Sequence, residues 1–251
     1  MSNFLAAFDA YSLKARIYPA LLAMLPLILA VITIFPAVIS INLSKSIILT
    51  LLLLGLLYLM SNLARFRGKL AEPKLLERWG GWPSTILLRH RDATIDSYTK
   101  ARYISVLAGM CPDLIFPNPN EESAGFEAAD NIYRSATKRL IEARRGAEYK
   151  MLHDENIQYG FRRNAFGLKP VAVALALFSA LAIIAMWVIN FNSSLAPNNI
   201  WEKLSSDWHL PALVIFDVCW AIMWIVIFSE QFVLRGAYEY AVALLRTLDA
   251  S

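Results

Sequence analysis

The chain has 251 residues, 57% of them apolar and 18% charged, with a net charge of +4. Its apolar residues fall into four blocks almost free of charge, 17–39, 47–63, 171–189 and 210–229. That distribution excludes a water-soluble globule, whose surface helices keep a polar face, because about 20 apolar residues cross ~30 Å of hydrocarbon and each block is near that length.

The expected fold is therefore an all-α integral membrane protein: four transmembrane helices with a helical cytoplasmic insert between the second and third. Residues 1–16 place Phe4, Phe8 and Tyr11 on one helical face, which suits a short interfacial N-terminal helix; an ordinary frayed terminus is the plainer reading. Residues 17–63 hold transmembrane helices 1 and 2. The first block is longer than the 7–15 residues of a signal h-region. It carries Pro19, Pro26 and Pro36, and reads as a retained span bent at its prolines. In the second block the run 51–59 is bulky on all sides, which places it on the outside of a bundle.

Residues 64–169 form the helical regulatory insert, with 18 basic and 13 acidic side chains, a surplus of +5. A short helix is expected at 75–79, ending at Gly80 and Gly81, and Pro83 opens another through Arg91. Asp96 or Ser97 caps a helix to Gly109. Asn120 caps the longest, 121–145, with its acids first and its bases last. A further helix, 156–166, leads into the third span. Transmembrane helix 3 is 170–190, where Ala172, Ala176 and Ala180 recur at i+4 beside Ser179. Small residues at that interval let helix backbones approach closely. A periplasmic loop, 191–209, leads to 210–251, transmembrane helix 4 with a cytoplasmic extension. The fourth helix reads as one piece whose last turns pack on the insert. Because most Lys and Arg lie in the insert, the positive-inside rule puts it and both termini in the cytoplasm of a multi-pass inner-membrane protein.

No catalytic constellation emerges: there is no Gly-rich phosphate loop, HExxH or nucleophile elbow, and no metal or cofactor is expected. Cys111 and Cys219 have no metal or disulfide spacing. Three groups bear on function. Asp217 lies inside the fourth span; charge at that depth faces water or a partner, so it reads either as pore-lining or as a carboxylate wetted or hydrogen-bonded near the outer interface. Trp220, Trp224 and Phe228 continue its stripe, either as a hydrophobic constriction or as plain helix packing. Trp201 and Trp208 look like belt anchors. The basic set is Arg65, Arg67, Arg89, Arg91, Arg144, Arg145, Arg162 and Arg163, with Lys69 beside the membrane; it serves ion pairs, anionic lipid headgroups or a phosphate-bearing ligand.

The runs Arg78-Trp79-Gly80-Gly81-Trp82-Pro83-Ser84-Thr85, Leu87-Leu88-Arg89-His90-Arg91-Asp92 and Glu155-Asn156-Ile157-Gln158-Tyr159-Gly160-Phe161-Arg162-Arg163-Asn164 resemble those of a group of bacterial inner-membrane proteins. The group is similar in plan to the channel effectors of nucleotidyltransferase-linked, Hailong-type antiphage defence systems. The resemblance implies a homo-oligomeric, tetrameric ion channel that depolarises the inner membrane. It further implies a partner nucleotidyltransferase whose oligonucleotide product holds the channel shut. It carries over no ligand-binding residue. Two other readings stand beside it: a non-conducting membrane scaffold that recruits a cytoplasmic partner, and a lipid-acting enzyme using His90, Asp92, His153 and Asp154.

Overall fold

The computed structural model describes residues 10–35, 43–146, 148–193 and 207–250; the elements among them are helices joined by turns and loops, with no strand. Helical turns at Ala10–Ser12 and a π-helical stretch Leu13–Ile17 lead into α1 (Tyr18–Ile34). The chain then forms α2 (Leu43–Trp79), α3 (Pro83–Ile86), α4 (Ser97–Met110), α5 (Pro119–Ala124), α6 (Phe126–Ala143), α7 (Lys150–Ser193), α8 (His209–Ile227) and α9 (Glu230–Arg246). Four helices, α1, α2, α7 and α8, are long and apolar enough to cross a bilayer. Phe4, Phe8, Pro36 and Trp201 lie outside the described residues.

The chain divides into two compact units, residues 1–70 with 161–229, and residues 71–160 with 230–251. In the first, α1, α7 and α8 pack together. Ala30, Ile183 and Leu210 form one buried cluster, and the Ser179 hydroxyl donates to the Pro26 carbonyl oxygen at 3.1 Å. The small-residue stripe of α7 thus packs beside α1: Ala172, Ala176 and Ser179 are fully buried. Pro26 has no N–H to close its turn of α1, and the freed Leu22 carbonyl accepts the Trp220 indole N–H at 3.0 Å. The Leu-rich stretch of α2 stands apart from these three; Leu51, Leu52 and Leu59 are exposed. Nearer its end, α2 crosses α7 where Gly68 meets Asn164 and Gly167 meets the Gly68 backbone. There Arg67 Nε donates to the Gly167 carbonyl oxygen at 2.9 Å.

The second unit has its own apolar core, in which Leu87, Leu88, Leu107, Tyr133, Leu140, Leu244 and Leu245 are buried together. The amphipathic α9 supplies Ala241, Leu244 and Leu245 to that core. Asp249, just beyond it, accepts from Arg102 at 2.8 Å and from the Tyr103 hydroxyl at 3.0 Å.

Several boundaries differ from those read in the sequence. The piece at 75–79 is the end of α2, closed by Gly80 at φ 78° with Gly81 N–H returning to the Leu76 carbonyl at 2.9 Å, a left-handed helix stop. The helix opened by Pro83 ends at Ile86 rather than Arg91, because the Arg89–Asp92 backbone is taken by side chains from elsewhere. The expected 121–145 helix is two: α5, capped by Asn118 in a reciprocal capping box with Glu121, and α6 after Gly125. The fourth helix is likewise interrupted: Phe228 (φ −79°, ψ 61°) and the Ser229 N–H to Ile227 carbonyl bond of 2.7 Å make an inverse γ-turn between α8 and α9.

Candidate functional site

On α8 the residues Asp217, Ala221 and Trp224 form the buried face, continued by Phe228 in the turn that follows, while Ile215, Val218, Ile222, Ile225 and Val226 are exposed. Asp217 and Trp224 are both 0% exposed. Trp224 packs on Phe228 with ring centroids 4.3 Å apart, and Phe228 meets the edge of Phe161. Trp220 is half-buried, stacks on Phe216 at 5.3 Å and is tied to α1. The four residues read as pore-lining therefore face the helices of their own chain in this conformation.

Among the described residues, neither carboxylate oxygen of Asp217 has a hydrogen-bond partner, nor does the Trp224 indole N–H. An acidic side chain at membrane depth costs about 2.5–3.5 kcal/mol on insertion scales. Asp217 and Trp224 thus put two orphaned polar groups on one face of α8.

The basic residues do not gather at one place. Arg89 forms a two-pronged ion pair with Asp130 at 2.8 and 2.6 Å and also donates to the Gly80 carbonyl oxygen. Arg91 pairs with Glu122 at 3.2 Å and lies 4.2 Å over the Phe126 ring. Arg144 donates to the Tyr149 hydroxyl at 2.7 Å, and Arg145 pairs with Glu142. Arg163 is buried and Arg162 half-buried on α7; Arg65 and Lys69 are exposed on α2.

The Arg89–Asp92 run is the polar hub of the second unit. Glu122, only 2% exposed, accepts from His90 N–H at 2.8 Å and Tyr133 hydroxyl at 2.9 Å, besides Arg91. Burial pushes the Glu122 carboxyl up, yet the bonds from His90, Tyr133 and Arg91 outweigh it and hold the group below its usual range. Burial and the Glu122 carboxylate push the Tyr133 phenol well up. Buried Lys100 donates to the Arg89 carbonyl at 2.6 Å and to that of Asp92. These bonds brace the Arg89–Asp92 run against α4, α5 and α6. Among the described residues, no group of three or more His, Cys, Asp or Glu is arranged to hold a metal ion.

No family model, curated protein or solved structure matches the chain. Its chemistry is therefore read from its own geometry.

Two clefts flank Trp82 in the second unit. One, of about 170 Å³, is lined by Tyr159, Tyr240, Arg134 and Lys138 among others; the two tyrosines stack at 6.3 Å. The other, about 330 Å³, adds Gly80, Gly81, Thr85 and Arg89. Arg134 lines both. Sequence reading passed over Arg134 and Tyr240 because neither lies in a motif; only the fold brings them beside Trp82.

Proposed function

We propose that the chain is one subunit of a homo-oligomeric ion channel of the bacterial inner membrane, gated through its helical second unit. In this reading the helices cross four times with both termini and residues 64–169 in the cytoplasm, and opening depolarises the cell. The observation that carries it is Asp217: an acidic group with both oxygens unpartnered, enclosed at membrane depth on the span assigned to the axis. Side chains of this kind mark ion and proton pathways. Four helices pack without leaving a hole, so conduction needs several copies around an axis, four by the resemblance. The conformation described is then the sealed one, and opening rotates the Asp217–Trp224 face of α8 toward that axis.

The resemblance adds an antiphage role, with a nucleotidyltransferase partner whose oligonucleotide product keeps the channel shut. The clefts beside Trp82 offer aromatic walls and the cations Arg134 and Lys138 to an anionic ligand. Exposed Arg65 and Lys69 suit anionic lipid headgroups.

A non-conducting scaffold is the second reading, favoured by the closed packing of α1, α7 and α8. Expression in bacteria with a potential-sensitive dye separates the two. The channel reading expects depolarisation by the parent and its loss in Asp217→Ala and Trp224→Ala. If both variants depolarise cells as the parent does, the α8 axis is wrong. A potential that never changes while a cytoplasmic protein is still recruited leaves the scaffold.

A further inference from the structure

The wider cleft beside Trp82, about 330 Å³, has the volume of roughly ten waters at about 30 Å³ each. That is the size of a free amino acid. Thr85 lines the cleft and is only 3% exposed, yet its hydroxyl has no hydrogen-bond partner among the described residues. The Thr85 amide already donates to the Trp82 carbonyl oxygen at 2.9 Å, so the orphan is the side chain alone. A buried hydroxyl without a partner, on a residue that lines a cleft, is a donor and an acceptor held ready for a ligand.

The charges of the cleft point to the class of that ligand. Four line it: Glu77, Arg89, Asp130 and Arg134. Arg89 and Asp130 satisfy each other through bonds of 2.8 and 2.6 Å, which leaves Glu77 and Arg134. Both are exposed. They share the cleft without pairing across it, and among the described residues neither belongs to an ion pair. One carboxylate and one guanidinium balance, so a simple anion drawn to Arg134 is opposed by Glu77. A molecule carrying both signs is opposed by neither. Its carboxylate takes two parallel bonds from the guanidinium, and its ammonium donates to Glu77. The narrower cleft differs: there Lys138 joins Arg134 and no acid lines the wall.

We propose that the wider cleft binds a small zwitterion of the amino-acid class, with its carboxylate on Arg134, its ammonium on Glu77 and the Thr85 hydroxyl completing its hydrogen bonds. Leu76 and Trp82 give its side chain an apolar wall. The inference deepens the anionic-ligand reading of these clefts by adding a cationic group to the ligand, and it rests on Arg134 taking the anionic end. It stands whether or not the protein conducts.

Titration calorimetry of the full chain in detergent, with the protein amino acids added one at a time, tests it. At least one is expected to bind, and the tightest is then compared with its des-amino acid and its decarboxylated amine. Each lost charge should weaken binding about tenfold or more, and Glu77→Gln and Arg134→Gln should each do the same to the intact amino acid. Thr85→Val should weaken it about fivefold, while the ligand-free variant melts no lower than the parent, because the hydroxyl removed had no partner. A panel in which no amino acid binds overturns the site and leaves the α8 channel reading, which rests on Asp217, untouched. If the des-amino acid binds as tightly as the amino acid and Glu77→Gln changes neither, the zwitterion is wrong and the anionic reading alone survives. Parent-like binding by Thr85→Val overturns the role of the hydroxyl. Amino-acid binding by a protein that is electrically silent would sink the channel and leave this site intact.

Discussion

Gly167→Ala isolates the helix crossing that joins α2 to α7. A Cβ at Gly167 would stand 2.4 Å from the Gly68 nitrogen and 2.5 Å from the Arg67 carbonyl carbon. Ordinary contacts between such atoms are about 3.5–4.0 Å, so the two backbones must part by roughly 1 Å. That movement also stretches the 2.9 Å bond from Arg67 to the Gly167 carbonyl. Overpacking of this kind costs about 1–3 kcal/mol, and a bond to a charged donor adds to it. Alanine's better helix propensity returns up to about 1 kcal/mol. The net loss is about 2 kcal/mol, or roughly 4–8 °C for a chain of this size. Thermal unfolding of the purified protein in detergent measures it, with Gly55→Ala as control, because nothing lies within 4 Å of a Cβ there. If Gly167→Ala melts with Gly55→Ala or above it, the close approach is not a determinant of the fold.

Glu122 gives the second unit an acid limit. Its carboxyl titrates below the usual range in the folded chain, so its contribution is complete above the unfolded value of about 4.3 and is lost as pH falls through the folded one. Melting of the wild type should therefore drop more steeply below about pH 4 than that of Glu122→Gln, which starts about 1–3 kcal/mol less stable at pH 7; parallel curves would remove Glu122 from the acid response. Orientation is open to single-cysteine labelling in a background without Cys111 and Cys219. In intact cells an impermeant maleimide should reach Asp207→Cys, and should reach Tyr98→Cys, at a site 86% exposed, only after permeabilisation; the reverse pattern overturns the positive-inside assignment.

What the sequence revealed and what it concealed divide along the range of the interactions. The apolar blocks, the Asp96 cap, which accepts from Thr99 N–H at 2.9 Å, and the outward leucines of α2 each follow from residues close together in the chain. The end of α3 does not. It is set by Glu122 and Lys100 taking the backbone of residues 89–92, and Glu122 lies 31 and 32 residues from the amides it binds. The break at Gly125, a weak helix position, divides a run whose acids-first, bases-last order argues for a single helix. The Gly68–Gly167 crossing pairs glycines about a hundred residues apart, and neither is conspicuous alone. At Asp217 the sequence shows a carboxylate within an apolar span. It holds no sign that the carboxylate is fully buried with neither oxygen hydrogen-bonded among the described residues.

Planar-bilayer recording of the purified wild-type protein tests the proposed activity most directly. The account predicts discrete unitary currents that Asp217→Ala abolishes. A bilayer that stays silent after insertion of the protein has been verified would contradict it.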